Sequence, residues 1–405
     1  MSSSSTSEQP DFHLGNTSAI SLYVHIPFCK TKCGYCDFNT YQGMEDLMPS
    51  YVNAVCEDIK NWLCSLNSPR INTIFFGGGT PSLMTKSQIQ QIMDQIRLYG
   101  NILQDAEITL ESNPDDLDES KCIDLYESGI NRLSIGVQAL QPKLLTLLNR
   151  RHSDAQALQA ISNGRLAGFT NISGDLMYGL PNQTQTNWET TVTKLVNSNP
   201  DHISMYSLTI EEGTPFYKMF EAGKLKLPTD DQIADMYSWA QSFLDAKGYH
   251  QYEISNWCKQ DRKSLHNLAY WTRYPYIGIG PGAHSNLGNV RYWNIKSPSK
   301  YIETVSGSII PNEPLDQILE NPIVDGYEVL SNNQIASELV FLGLRLADGI
   351  NCAQYHNRYD IDIKSTFKEE FQKLEQEQLI EIDGDTIKLP RSKVFIANRI
   401  FEEFI

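Results

Sequence analysis

The densest chemistry of the chain lies in one stretch, His25-Ile26-Pro27-Phe28-Cys29-Lys30-Thr31-Lys32-Cys33-Gly34-Tyr35-Cys36. Spaced as CxxxCxxC, Cys29, Cys33 and Cys36 can put three thiolates on three irons of a cubane [4Fe-4S] cluster and leave the fourth iron without a protein ligand. A vacant coordination position is where a metal centre does chemistry, by the logic that separates open catalytic zinc sites from closed structural ones. Zinc is a competing reading: His25 is near enough to be a fourth ligand, but no second CxxC or HxxxH pair follows. A Cys33–Cys36 disulfide also fits the spacing. Against it, eight cysteines scattered through 405 residues, with no secretory signal, indicate a reducing compartment.

A second set of polar residues follows. Gly77-Gly78-Gly79-Thr80-Pro81-Ser82 contains a triple glycine, which lets backbone N–H and C=O groups approach a ligand with no Cβ in the way. Without a ligand it reads as a tight turn. Glu111 stands in Glu-Ser-Asn-Pro, Gln138 in Gly-Val-Gln, Arg150 in Leu-Asn-Arg-Arg-His and Asp175 in Asp-Leu-Met-Tyr-Gly-Leu-Pro. Carboxylates suit an ammonium and ribose hydroxyls, a guanidinium suits a carboxylate, and an amide serves ribose or amino groups.

Residues so far apart in sequence need a scaffold that gathers them. Short β-branched and aromatic runs alternate with segments of helical period, the pattern of repeated βα units around a parallel sheet. Six strands are predicted: Leu22 to Ile26, Thr73 to Phe76, Glu107 to Glu111, Arg132 to Ile135, Ile172 to Met177 and Ile203 to Leu208. Helices are predicted between them. The spacing suits a partial (β/α)6 barrel, in which functional groups gather at the C-terminal ends of the strands. The cysteine loop follows strand 1 and the glycines follow strand 2. Residues 1–17 read as a disordered tail, 18–250 as the barrel, and 251–310 as an irregular extension rich in Tyr, Trp, Asn and Gly. Residues 311–405 read as a C-terminal helical domain whose end has a winged-helix-like order. A polar connection is expected from Glu303 to Asp325.

A strand ending Tyr23-Val24-His25-Ile26-Pro27-Phe28 that runs into CxxxCxxC resembles the radical S-adenosylmethionine (SAM) superfamily. Within it, the chain is most similar to the branch that holds oxygen-independent coproporphyrinogen III dehydrogenase and the HemW-type heme chaperones. Matching motifs recur over most of the chain. The resemblance implies an α/β fold, a TIM-like radical SAM barrel with a C-terminal HemN-like domain. It also implies SAM binding by Tyr23, Gly78, Gly79, Thr80, Glu111, Gln138, Arg150 and Asp175. SAM's amino and carboxylate groups would chelate the vacant iron of a low-potential cluster, whose electron cleaves the C5′–S bond. Implied partners are heme, a heme-acceptor protein such as a membrane-associated respiratory hemoprotein, and a low-potential electron donor such as flavodoxin or ferredoxin.

Two departures choose within the branch. The dehydrogenase carries a fourth cysteine two residues after the triad, where this chain has Phe38, and only 28 residues precede Cys29. Both match the heme chaperones. His266-Asn267-Leu268-Ala269-Tyr270-Trp271 matches that subfamily's HNxxYW motif. It offers His266 as an axial heme ligand and the Tyr270 and Trp271 faces for the porphyrin. A histidine among aromatics also reads as a hydrogen-bonded structural residue, and His250, Cys258 and His284 are competing ligands. The expected function is therefore heme binding and transfer. The alternatives are radical oxidative decarboxylation of coproporphyrinogen III and radical SAM chemistry on another substrate, such as methyl transfer.

Gly278-Ile279-Gly280-Pro281-Gly282-Ala283 satisfies GxGxxA, but no helical period follows it, so a dinucleotide site is rejected and a glycine loop at the barrel mouth is expected. Glu338 and Arg345 read as helix-stabilising or interdomain residues. A formal net charge of −16 disfavours nucleic acid, whose phosphates need a basic footprint. No run approaches the roughly 18–20 apolar residues of a membrane span. The N-terminal residues lack the basic start and apolar block of a signal peptide, and a cytoplasmic protein is expected.

Overall fold

Side chains alternate along Ala19–Ile26: Ile20, Leu22, Val24 and Ile26 are wholly buried on one face, while Ser21, Tyr23 and His25 take the other. That period of two sorts apolar groups toward covering helices and polar groups toward an interior. The computed structural model describes residues 19–307 and 320–405. The tail expected over residues 1–17 lies outside them, as does the middle of the expected polar connection.

All six predicted strands form. β1 (Ala19–Ile26), β2 (Arg70–Gly78), β3 (Asn101–Ser112), β4 (Arg132–Gln138), β5 (Ile172–Tyr178) and β6 (His202–Ser207) lie side by side in sequence order, each pair parallel. Their apolar faces join one core with helices such as Met48–Ser65 and Lys86–Tyr99. Reciprocal capping fixes where several helices begin: Thr85 with Gln88, Ser153 with Gln156, Thr184 with Asn187 and Thr229 with Gln232.

Much of the region expected to be irregular is β-structure. β7 (His250–Glu253), β8 (Asn256–Cys258), β9 (Tyr276–Ile279), β10 (His284–Leu287) and β11 (Val290–Asn294) are joined by β12 (Val324–Val329). These strands extend the parallel sheet at both edges into twelve strands, ordered β12-β11-β10-β9-β1-β2-β3-β4-β5-β6-β8-β7. β9 is a seventh parallel strand, against β1, and the outer pairs are antiparallel. The strands are short and their aromatic residues serve both faces, so no apolar alternation marks them. Tyr292, for example, stacks on Trp62 at 4.8 Å on the helix side.

The helix Leu265–Trp271 lies across the polar interior. Glu107 accepts hydrogen bonds from the Leu265 and His266 N–H groups at 2.9 and 3.0 Å, closing the lower part of the barrel with a charge on the helix start.

Residues 330–404 form a second core. The helical stretch from Ile363 to Gln376 breaks at Phe367 into Ile363–Thr366 and Lys368–Gln376, and Thr386–Lys388 pairs with both Ile350–Asn351 and Glu381–Asp383. Glu338 binds Arg273 at 2.7 Å and also Arg291, and Arg345 binds Glu253 at 3.2 Å, so both residues tie this domain to the sheet. Among the described residues no helix is long and apolar enough to cross a membrane.

Candidate cluster and cofactor site

The cysteine loop is held from three directions. After β1, Phe28–Cys29 pairs with Tyr41–Gln42 and closes the loop on itself. Asn39 Nδ2 donates to the carbonyls of Pro281 (2.9 Å) and Lys296 (3.0 Å), which fastens its far side. Phe216 N–H donates to Gly34 O at 2.9 Å, with the Phe216 ring where a Gly34 side chain would stand. His25 uses both ring nitrogens, Nδ1 with Tyr23 OH (2.9 Å) and Nε2 with Asn39 O (3.0 Å). It is therefore not a free fourth ligand for a zinc ion. None of the eight cysteines is in a disulfide, Cys33 and Cys36 included.

Cys29, Cys33 and Cys36 face one cavity of about 500 Å³ at the C-terminal ends of the strands. Thr80 Oγ1 donates to Cys29 Sγ and Arg150 Nη1 to Cys33 Sγ, both at 3.5 Å. Burial pushes the Cys29 and Cys36 thiols up; the Thr80 hydroxyl works against this at Cys29 and a backbone hydrogen bond at Phe38 does so at Cys36. Gly79 sits where a Cβ would stand 2.6 Å from Phe28 O and 3.0 Å from Cys29 Sγ. Gly78, at φ +107°, donates its N–H to Glu111 at 3.0 Å.

Across the cavity, burial pushes Glu111 up to about 7, with nearby Asp175 adding to the rise and the Gly78 N–H opposing it. Burial also raises Asp175, against hydroxyl donors Ser134 and Ser173, each at 2.7 Å. Two crowded carboxylates, whose rise the cavity-lining Arg132 opposes, can accept a cationic group. Arg150 supplies the opposite charge, held by Asn113 Oδ1 (2.5 Å) and Gly136 O (2.8 Å). Arg151 turns away to Asp115 and Asp116.

Of the residues assigned to SAM, Gly78, Gly79, Thr80, Glu111, Gln138, Arg150 and Asp175 line this cavity and Tyr23 does not. Tyr23 stands behind the wall against His25 and Phe75. Phe38 also lines it, 60% exposed at the rim. Sequence reasoning missed Asn113, Arg132, Ser134, Ser204, Tyr206 and Asn267. Several were recoverable from the period of two: Arg132, Ser134 and Gly136 on β4 share one face, as do Ser204 and Tyr206 on β6.

Residues 23–195 match the Radical SAM superfamily and residues 330–395 the HemN C-terminal domain. The heme chaperone HemW of Bacillus subtilis is 35% identical over 386 residues, covering 95% of this chain and 99% of that one. HemW of Mycobacterium tuberculosis is 34% identical, covering 82% and 83%, respectively. The mitochondrial radical S-adenosyl methionine domain-containing protein 1 of Danio rerio is 36% identical, covering 82% and 73%. This chain belongs to the HemW subfamily of radical SAM proteins. The solved Escherichia coli coproporphyrinogen III oxidase (HemN) shares its fold, with a TM-score of 0.79 over 96% of this chain and 90% of that one at 24% identity.

The geometry gives each aromatic residue of the HNxxYW motif a partner inside the fold. His266 is 1% exposed; its Nδ1 meets Thr73 Oγ1 at 2.8 Å and its Nε2 meets Tyr270 OH at 2.9 Å, while its ring stacks on Phe75 at 4.9 Å. Burial, with Arg132 nearby, pushes it down to about 3. Both nitrogens are hydrogen-bonded within the fold. Tyr270 meets His266 and Tyr276 edge-on, and Trp271 lies under the Arg345 guanidinium at 4.2 Å. In this HemW-family chain the motif therefore plugs the barrel and docks the C-terminal domain, and Asn267 alone of the motif lines the cavity. Of the competing ligands, Cys258 is 3% exposed, and His250 faces the cleft with Asp245 and Arg391. The GxGxxA loop backs the cysteine loop instead of lining the cavity: Gly280 lies against His25 O and Gly282 against Asn39.

Proposed function

We propose that this chain binds heme and hands it to an acceptor protein, while a [4Fe-4S] cluster and an exchangeable SAM occupy the barrel mouth. The observation that carries the reading is similarity over 95% of the chain, at 35% and 31% identity, to proteins named heme chaperones. Phe38 in place of a fourth cysteine supports it over the dehydrogenase. In this reading Cys29, Cys33 and Cys36 hold three irons. The donor set fits: three thiols open onto a shared cavity with a side-chain-free wall at Gly78 and Gly79.

When bound, the cluster and SAM together supply one-electron chemistry. The chain's own part is positioning. Glu111 and Asp175 attract the cationic end of SAM, Arg150 its carboxylate, and Gln138 and Thr80 bound the space between. Thr80 and Arg150 each donate to a cysteine sulfur, which tunes a cluster's potential. A low-potential donor such as flavodoxin or ferredoxin would deliver the electron, and eight scattered cysteines suit a reducing, cytoplasmic setting.

The test is anaerobic. Reconstituted protein is assayed for iron, sulfide and heme, then incubated with SAM, reductant and coproporphyrinogen III. Heme binding without turnover is expected. Multiple turnovers to protoporphyrinogen would replace the chaperone reading with the dehydrogenase. Cys33→Ala should lose the brown cluster absorption, and its survival would refute the ligand assignment.

A further inference from the structure

If His266 is closed to iron, heme needs another donor, and one histidine is placed for it. His25, His202 and His266 each have both ring nitrogens bonded inside the fold. His284 is exposed, and neither of its nitrogens has a hydrogen bond among the described residues. Its neighbour is a ring: Trp293 stacks on it at 5.8 Å between centroids, with planes 29° apart.

The register sets out a shelf. His284, Trp293 and Gly326 are cross-strand partners on β10, β11 and β12, one row over three strands. The indole lies over Gly326 so closely that a Cβ there would be 2.6 Å from it. Adjacent strands lie about 4.8 Å apart, so the row extends about 10 Å across the sheet. The row continues the face that carries Tyr23 and Tyr276, because Tyr276 pairs with Ser21 and Asn286 pairs with Tyr276. It lies at the strand ends where the cysteine loop emerges, since β9 is parallel to β1 and the loop from β9 to His284 is pinned to Asn39.

The charges suit an anion. Arg291 and Lys296 are the cations that act most on His284, opposed by Glu328. Arg291 is already paired with Glu338, whereas Lys296 is exposed. On a chain of net charge −16, an exposed lysine beside an aromatic pair gives an anionic group a partner. Burial and these cations hold the imidazole below its ordinary value, which keeps it in the neutral form that binds metals.

We propose that heme docks at this row, with His284 as the axial ligand, the edge of Trp293 toward the macrocycle and Lys296 toward a propionate. The proposal rests on the heme-binding reading above and assigns its site. An axial imidazole and an aromatic contact are what a porphyrin iron recognises.

The test is hemin titration of the full chain followed by Soret absorbance, with circular dichroism as a control for folding. Wild type should give a saturable Soret band. His284→Ala should weaken binding at least tenfold and shift the band, His284→Met should retain binding with an altered spectrum, and Trp293→Leu should weaken it severalfold. His250→Ala should match wild type. If wild type binds and His284→Ala gives the same band and affinity, the shelf is refuted and the heme reading stands. If wild type gives no saturable band, the heme reading itself falls.

Discussion

His266→Ala separates a structural from a ligating role for the HNxxYW histidine. The substitution strands Thr73 Oγ1, which is wholly buried, and Tyr270 OH, which is half-buried, and it empties the space of a ring stacked on Phe75. An orphaned buried polar group costs about 1–3 kcal/mol. With Thr73 in mid-range, Tyr270 at the low end and about 1 kcal/mol for the vacated space, the loss is about 4 kcal/mol. That is a large share of the roughly 5–15 kcal/mol that holds a typical protein folded. Urea unfolding of the cluster-free protein measures it. Adding Thr73→Val removes the stranded hydroxyl, so the double variant should lose less than the two single losses combined. Hemin bound by the folded variant should keep the wild-type Soret band. A variant within about 1 kcal/mol of wild type that has lost that band would show that His266 is the ligand and that the hydrogen-bond accounting is wrong.

Asp58 is wholly buried, donated to by Tyr301 OH and the Gly280 N–H, and burial pushes it up to about 7. The native state then keeps a proton that the unfolded chain releases between about pH 4 and 7, so stability falls as pH rises through that window and levels off above it. Three units set a ceiling of about 4 kcal/mol. Asp58→Asn should narrow the stability difference between pH 5 and pH 8 in urea titrations, and an unchanged difference would contradict this. Gly79→Ala should yield folded protein with much reduced cluster iron and sulfide, because the added methyl meets Phe28 O at 2.6 Å and Ile26 O at 2.8 Å; full iron content would argue against the tight wall. Glu338→Ala leaves Arg273, 4% exposed, without its carboxylate and should cost about 3–5 kcal/mol on unfolding. A change under about 1 kcal/mol would mean that the pair does not hold the domains together.

The parallel core was legible because its strands are continuous apolar runs, or alternate cleanly as β1 does, and the helices between them carry caps at their starts. β7 to β11 were not. Each has three to five residues, and the aromatic groups that stabilise them face both ways. The cysteines and glycines of the site were readable because their types are rare and their spacing tight. Arg132, Ser134 and Tyr206 were not, since a polar residue inside a strand becomes informative only once its inward face is known. His266 shows a different limit: a motif reports which side chains recur, while only coordinates show that Thr73 and Tyr270 already occupy both nitrogens.

The helix Leu265–Trp271 seals the lower end of the interior through Glu107 and Thr73. With that floor in place, the described interior opens at the strand ends where Cys29, Cys33 and Cys36 stand, so a guest held there has the cysteine loop for its rim.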